Sequence, residues 1–399
     1  MKIYKNKLIL WNEEKSFIGK AKLFLFFLYV FVGILRATTI SFNHWTSIAQ
    51  TIQISILLIL TFNLFFEIME GKIKANPLVL VLILCSIINT FLTKHLFMFS
   101  FFIFFSSFCN FNFKHLVKKF TYLVIFSACL IIFLNIISVI PDAGASRLDK
   151  IRYSLGFKTA TLPSSILMFI SLGLLYVKQE KAKNWILLLL FVINLLLFIL
   201  TNTRTGFIIT ILILMFWIFI KYDKTRNICN FLKNNKILRS LCIFFPFIIF
   251  GMEIILMIIY SKHNSLSFKL NDLLSTRLSL TESLFLRYPI NLFGSKISFT
   301  GEYSNLQQSD ISYMFYLLNY GLFSLIFVLF GHSILINEAI NRKDIILVFI
   351  IFIIIIDGIV EPYLIDYKYQ IFTFSLASFL LNKNYKIITK FERIKLMEL

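Results

Sequence analysis

The sequence predicts an all-α polytopic membrane protein of about twelve spanning helices in a single domain, residues 1–399. Three observations carry that expectation. The chain is 58% apolar, with a mean hydropathy of +0.83. Only 15% of it is charged, where a soluble domain carries about a quarter. Apolar runs of roughly 17–24 residues recur along it, the length at which a helix crosses a bilayer. Lipid offers the backbone no hydrogen bonds, so each run must satisfy its own as helix.

In order, the spans cover 23–40, 47–68, 77–93, 95–109, 120–140, 160–177, 184–201, 206–222, 238–260, 312–335, 344–360 and 368–382. Six lysines in the first 22 residues lead straight into the first span, so no cleavable signal is expected. The third and fourth are short and divided only by Lys94-His95, so ten or eleven spans fit as well. Pro141 opens the segment after the fifth, and a tight polar turn, Thr201–Thr205, joins the seventh and eighth. Two loops stand out by length, 141–159 and 261–311. Long ordered loops tend to carry function.

Placing the N-terminus in the cytoplasm puts 27 Lys and Arg inside and 13 outside. That is the inward bias expected of a membrane protein, with both termini cytoplasmic. It accounts for most of the net charge of +20, so no nucleic-acid partner is expected. The outer segments nevertheless hold six of the ten arginines, namely Arg36, Arg147, Arg152, Arg204, Arg277 and Arg287, but only seven of the thirty lysines. Orientation alone does not call for that excess. A planar, permanently charged guanidinium suits bidentate binding of phosphate. Cys85, Cys109, Cys129, Cys229 and Cys242 form no CxxC pair and read as small apolar residues. The five histidines have no metal-ligand spacing and no phosphate-cradling glycine motif occurs. Neither a metal nor a cofactor is expected.

Several stretches carry candidate chemistry. In "LTNTRTGF", Leu200–Phe207, Arg204 sits at the hydrocarbon edge and Gly206 permits a turn or a close approach. Asn271–Pro289 reads as one helix capped by Asn271, with Arg277 and Arg287 about 80° apart around its axis. Gly294 marks a turn. Asp310, before the tenth span, serves either as an N-cap or as a general base. Tyr313 follows it. Glu361, in the outer turn "VEPYLID", is a second candidate carboxylate. Glu253 lies inside the ninth span and fits either a partner for an outer arginine or a transporter's proton carrier.

Taken together these pieces resemble the Wzy-type polymerases of bacterial capsule, exopolysaccharide and O-antigen assembly, relatives of the O-antigen ligases. The motifs behind this are "RYSLGF" (Arg152–Phe157), "NTRTG" (Asn202–Gly206), "STRLSLTESLFLRYPINLFG" (Ser275–Gly294), "DISYMFYLLNYG" (Asp310–Gly321) and "VEPYL" (Val360–Leu364). Two departures occur: "KTAT" follows "RYSLGF", and Ile311 replaces an asparagine. The ligases carry a histidine eleven residues before the glycine, where this chain has Asp310. The resemblance implies a GT-C-like fold with one large extracytoplasmic loop containing a helix. It also implies metal-independent glycosyl transfer at the bacterial cytoplasmic membrane, with undecaprenyl-diphosphate-linked glycan as donor and acceptor. Asp310, Arg204 and Arg277 would be catalytic, and Arg152, Tyr153, Arg147, Arg287, Tyr313 and Glu361 would bind substrate. Membrane lipids, a flippase and a chain-length regulator would be partners. The rival expectations are a ligase-like glycan transferase and a lipid-linked oligosaccharide flippase.

Overall fold

A computed structural model describes residues 16–40, 45–70, 77–147, 150–221, 231–232, 234–274, 276–297 and 310–381. Lys2, Lys5, Lys7 and Lys15, Cys229, residues 298–309 of the second long loop and the C-terminal tail lie outside these residues.

The described chain is predominantly helical. Its first half holds α1 (Phe17–Leu35), α2 (Trp45–Met69), α3 (Pro77–Thr93), α4 (Phe97–Ser107) and α5 (Phe113–Ile136). A short hairpin follows, β1 (Ala145–Arg147) and β2 (Lys150–Arg152), then α6 (Leu162–Lys178), α7 (Asn184–Thr201), α8 (Arg204–Lys221) and α9 (Lys236–Tyr260). Two short helices, α10 (Ser265–Leu273) and α11 (Arg277–Phe285), precede α12 (Ser312–Asn341), α13 (Ile345–Asp357) and α14 (Ser375–Leu381). Among the described residues, eight helices are long and apolar enough to cross a membrane: α1, α2, α5, α6, α7, α8, α9 and α12. The chain is thus consistent with a polytopic membrane protein. The expected spans three, four, eleven and twelve fall on shorter apolar helices.

The core is a continuous apolar cluster running through α1, α4, α6, α12 and α13. α6 and α12 are mostly buried, whereas α7 and α9 leave most of their surface outside the bundle. Phenylalanines from α1 and α4 interlock edge-on there, as in the Phe26–Phe104 pair at 4.9 Å. That is the favoured aromatic geometry.

Lys94 takes a left-handed conformation, φ 62°, and separates α3 from α4 where the sequence divides the third and fourth spans. Sequence and structure part company at two places. The single helix expected over Asn271–Pro289 is two, divided at Thr276, φ 68°. Asn264 caps α10 by accepting from Ser267 N at 2.8 Å. Asn271 instead accepts from Ser279 N at 3.1 Å, bracing the break from within. The expected twelfth span, 368–382, is turn to residue 371, a 3-10 helix over Phe372–Phe374 and α-helix over α14 to Leu381.

α12 is itself interrupted. Gly321 is non-helical, φ 82° and ψ −179°, and the 291–295 loop docks into the gap. Ser295 N donates to Leu318 O at 3.0 Å, and Phe323 N donates to Leu292 O at 3.0 Å. Asn89 of α3 donates to Phe293 O at 2.5 Å and to Tyr320 O at 3.2 Å. A β-carbon on Gly294 would stand 2.4 Å from Asn319 O, and one on Gly321 would stand 2.3 Å from Gly294 N. Both glycines adopt φ 82° and backbone meets backbone between them, so no side chain fits at either place.

Candidate functional site

The αL residue Thr276 starts α11 with Arg277 in its first turn. This guanidinium is only 9% exposed. Its Nη1 donates to Leu274 O at 3.3 Å and its Nη2 donates to Glu361 Oε1 at 3.2 Å. Its Nε lies 3.7 Å from Asp310 Oδ2. Three segments far apart in sequence therefore meet on one arginine.

The backbone fixes that meeting. Ser312 N donates to Gly358 O at 2.8 Å, and Ser312 Oγ donates to Glu361 O at 2.5 Å. The start of α12 is thus pinned to the turn after α13. The N-cap of α12 is Ile311, so Asp310 does not cap the helix. Its carboxylate is half-exposed and turns to Arg277 instead. Asp357, at the end of α13, is buried and acts on both Arg277 and Glu361.

Electrostatics follow from this crowding. Burial pushes Glu361 up to about 8; the charges of Asp310 and Asp357 push the same way, while Arg277 and Arg152 oppose. Burial also raises Asp310 above the usual carboxylate range, against Arg277. At Glu361 burial and the neighbouring carboxyl groups outweigh Arg277, so this group keeps its proton near neutral pH. Such a group can exchange a proton with a hydroxyl at ordinary pH.

The "RYSLGF" stretch adjoins the cluster. Arg152 Nε donates to Thr201 O at 2.7 Å and Nη2 donates to Thr203 Oγ1 at 3.4 Å. Tyr153 N donates to Leu200 O at 3.0 Å while its ring stays exposed. The motif is thus tied to the "NTRTG" turn. Asp142 holds the rest of it, accepting from Ser154 N at 2.8 Å and from Leu155 N at 3.0 Å. Arg204 begins α8, is exposed, and makes no hydrogen bond or ion pair among the described residues. Gly206 is a packing residue: a β-carbon there would stand 2.3 Å from Ser164 Oγ of α6.

Other expected site residues fall elsewhere. Tyr313 is completely buried, with its ring 5.9 Å from Phe250 of α9, and it neighbours Glu253. It has no surface to offer a ligand, so its expected role in substrate binding is corrected. Glu253 is buried, and among the described residues neither carboxylate oxygen has a hydrogen-bond partner and no outer arginine pairs with it. Arg287 is exposed beyond the end of α11, and Arg147 ends β1. Sequence reading missed Asp142, Asp357 and Ser312. Asp142 follows Pro141 at a span end and Asp357 closes a run of isoleucines; each is a carboxylate at a hydrocarbon edge, the signal that would have found it.

The chain matches no known protein family, no curated protein and no solved structure.

Proposed function

We propose that this protein is a membrane glycosyltransferase that joins lipid-linked oligosaccharide repeat units into a polysaccharide. The observation that carries the reading is the convergence on Arg277 of Asp310 and Glu361, with Arg152 acting on Glu361 and bonded to Thr203, the residue before Arg204. Five segments of the polymerase-like pattern contribute, although they are scattered over more than 200 residues of chain.

In this mechanism the acceptor hydroxyl oxygen attacks the anomeric carbon of the donor glycan. The bond from that carbon to the diphosphate oxygen breaks, and the diphosphate leaves with the electron pair. Asp310, the half-exposed carboxylate, takes the hydroxyl proton. Arg277 is occupied by two carboxylates, so its role moves from clamping a diphosphate to holding Asp310 and Glu361 in place. Exposed Arg204 is then the arginine suited to the leaving diphosphate, and Arg152 braces the turn that presents it. Exposed Tyr153 offers a ring for sugar stacking.

The reading places the protein in the bacterial cytoplasmic membrane with twelve spans, both termini inside and the Arg277 cluster outside. Undecaprenyl-diphosphate-linked glycan serves as donor and acceptor, and a flippase and a chain-length regulator are expected partners. A transporter reading is favoured only by Glu253, an unpartnered carboxyl in the bundle. The test supplies the purified protein with the lipid-linked repeat unit alone. A ladder of increasing chain length is expected; a wholly unchanged lipid would sink the reading.

A further inference from the structure

A cavity of about 590 Å³ lies away from Arg277 and is lined by Arg36, Lys94, Lys158 and Lys368, with Tyr320 and Tyr367 in its walls. That volume is typical of a small-molecule site, roughly 300–1,000 Å³, but such sites are mostly apolar. This one gathers four cations.

The fold forces them together. Residues 37–39 run antiparallel to 156–158: Thr39 N donates to Gly156 O at 3.1 Å and Lys158 N donates to Ala37 O at 2.9 Å. Arg36 is thereby held beside Lys158, and its Nη1 donates to Gln53 Oε1 at 2.7 Å, which fixes the guanidinium. Lys94 is delivered by the left-handed turn that ends α3. Lys368 pairs with Asp366 at 3.0 Å, but Lys94 and Lys158 have no ion pair among the described residues. Burial, together with Arg36 and Lys368, lowers the Lys158 amine below its ordinary range. Unneutralised like charges around a cavity are costly without an anion to absorb them.

We infer that this cavity is a second anion site, which takes a diphosphate-class oxyanion. One carboxylate, Asp366, neutralises one of the four cations, and a diphosphate carries enough charge to match the rest. The Arg36 fork and two lysine ammoniums suit phosphate oxygens. The proposal concerns binding and stands apart from the glycosyltransferase reading.

The oxyanion could be free or lipid-borne. An apolar groove of about 350 Å³ flanks α3 at Leu82 and Cys85 and α12 at Phe323 and Phe327. The same α3 carries Lys94 into the cavity some nine residues past Cys85, about 13 Å at helical rise. A lipid tail in the groove would bring its headgroup to the cations.

The test uses the full chain in nanodiscs. Inorganic diphosphate is titrated calorimetrically in phosphatidylcholine discs, and thermal stability is compared between phosphatidylcholine and phosphatidylglycerol discs without diphosphate. Lys94→Gln, Lys158→Gln and the double variant are set against Lys183→Gln, at the start of α7. A free-anion site binds diphosphate in phosphatidylcholine, and the cavity variants weaken it at least tenfold. A headgroup site shows no such titration, but phosphatidylglycerol raises the melting temperature of the wild type and not of the double variant. The proposal fails if neither probe acts on the wild type, or if the cavity variants respond like Lys183→Gln. The single variants keep the test alive should the double variant not fold.

Discussion

At Arg277 one guanidinium answers two carboxylates, and the pair with Glu361 is buried on both sides. Removing the arginine leaves the buried Glu361 carboxyl without its donor, and an unsatisfied buried polar group costs about 1–3 kcal/mol. Arg277→Ala is therefore expected to lower the unfolding midpoint in detergent far more than Arg287→Ala, which alters an exposed side chain; equal effects would refute the buried pair. The pH dependence follows from Glu361. Its ordinary value is 4.5 and in the folded protein it is about 8, so folding binds a proton between those values. That contribution to stability is complete below 4.5 and is lost as pH rises through 8. Asp310, also raised, acts in the same direction. Thermal unfolding from pH 5 to 9 should show the wild type losing stability with rising pH and Glu361→Gln losing less. A wild-type profile that rises over this range would contradict the assignment.

Elements rather than residues explain the break in α12. The 291–295 loop fills it, and Gly294 and Gly321 touch there with φ 82°. Gly294→Ala and Gly321→Ala are each expected to abolish or greatly reduce folded protein in size-exclusion profiles. Gly251→Ala in α9 meets nothing within 4 Å and should gain about 0.5–1 kcal/mol from helix propensity. The reverse ranking would show the break to be absent. Sequence reading found Gly294 and Gly321 but not their contact, because positive φ is local whereas the docking of a loop into a helix is tertiary. For the same reason Asn271–Pro289 read as one helix: the pattern is continuous, and what stops it is Thr276 in a left-handed turn braced by the buried Asn271. Asp310 read equally as cap or base from its place before a helix; only the position of Arg277 separates the two.

At the scale of the molecule, the helical class was legible because spanning length and apolar content are properties of the chain alone. The meeting of Asp310, Glu361 and Arg277 was legible only as separate motifs, since no sequence spacing encodes which loops touch. The basic cavity was not legible at all: Arg36, Lys94, Lys158 and Lys368 lie in four segments, and each alone looks like a loop cation. The proposed topology makes its own prediction. A reporter active only in the cytoplasm should work when fused after Leu399 and fail when inserted between Leu148 and Asp149. The opposite pattern would invert the protein and place the Arg277 cluster on the wrong face for lipid-linked glycan delivered outside. The most direct measurement is chain growth by purified protein on the lipid-linked repeat unit, with wild type, Asp310→Asn and Arg204→Ala side by side. Loss of the base is expected to slow growth by about 10²–10⁴, and loss of the arginine by about 10²–10³, with both variants still folded. A ladder made at wild-type rate by Asp310→Asn would contradict the central claim.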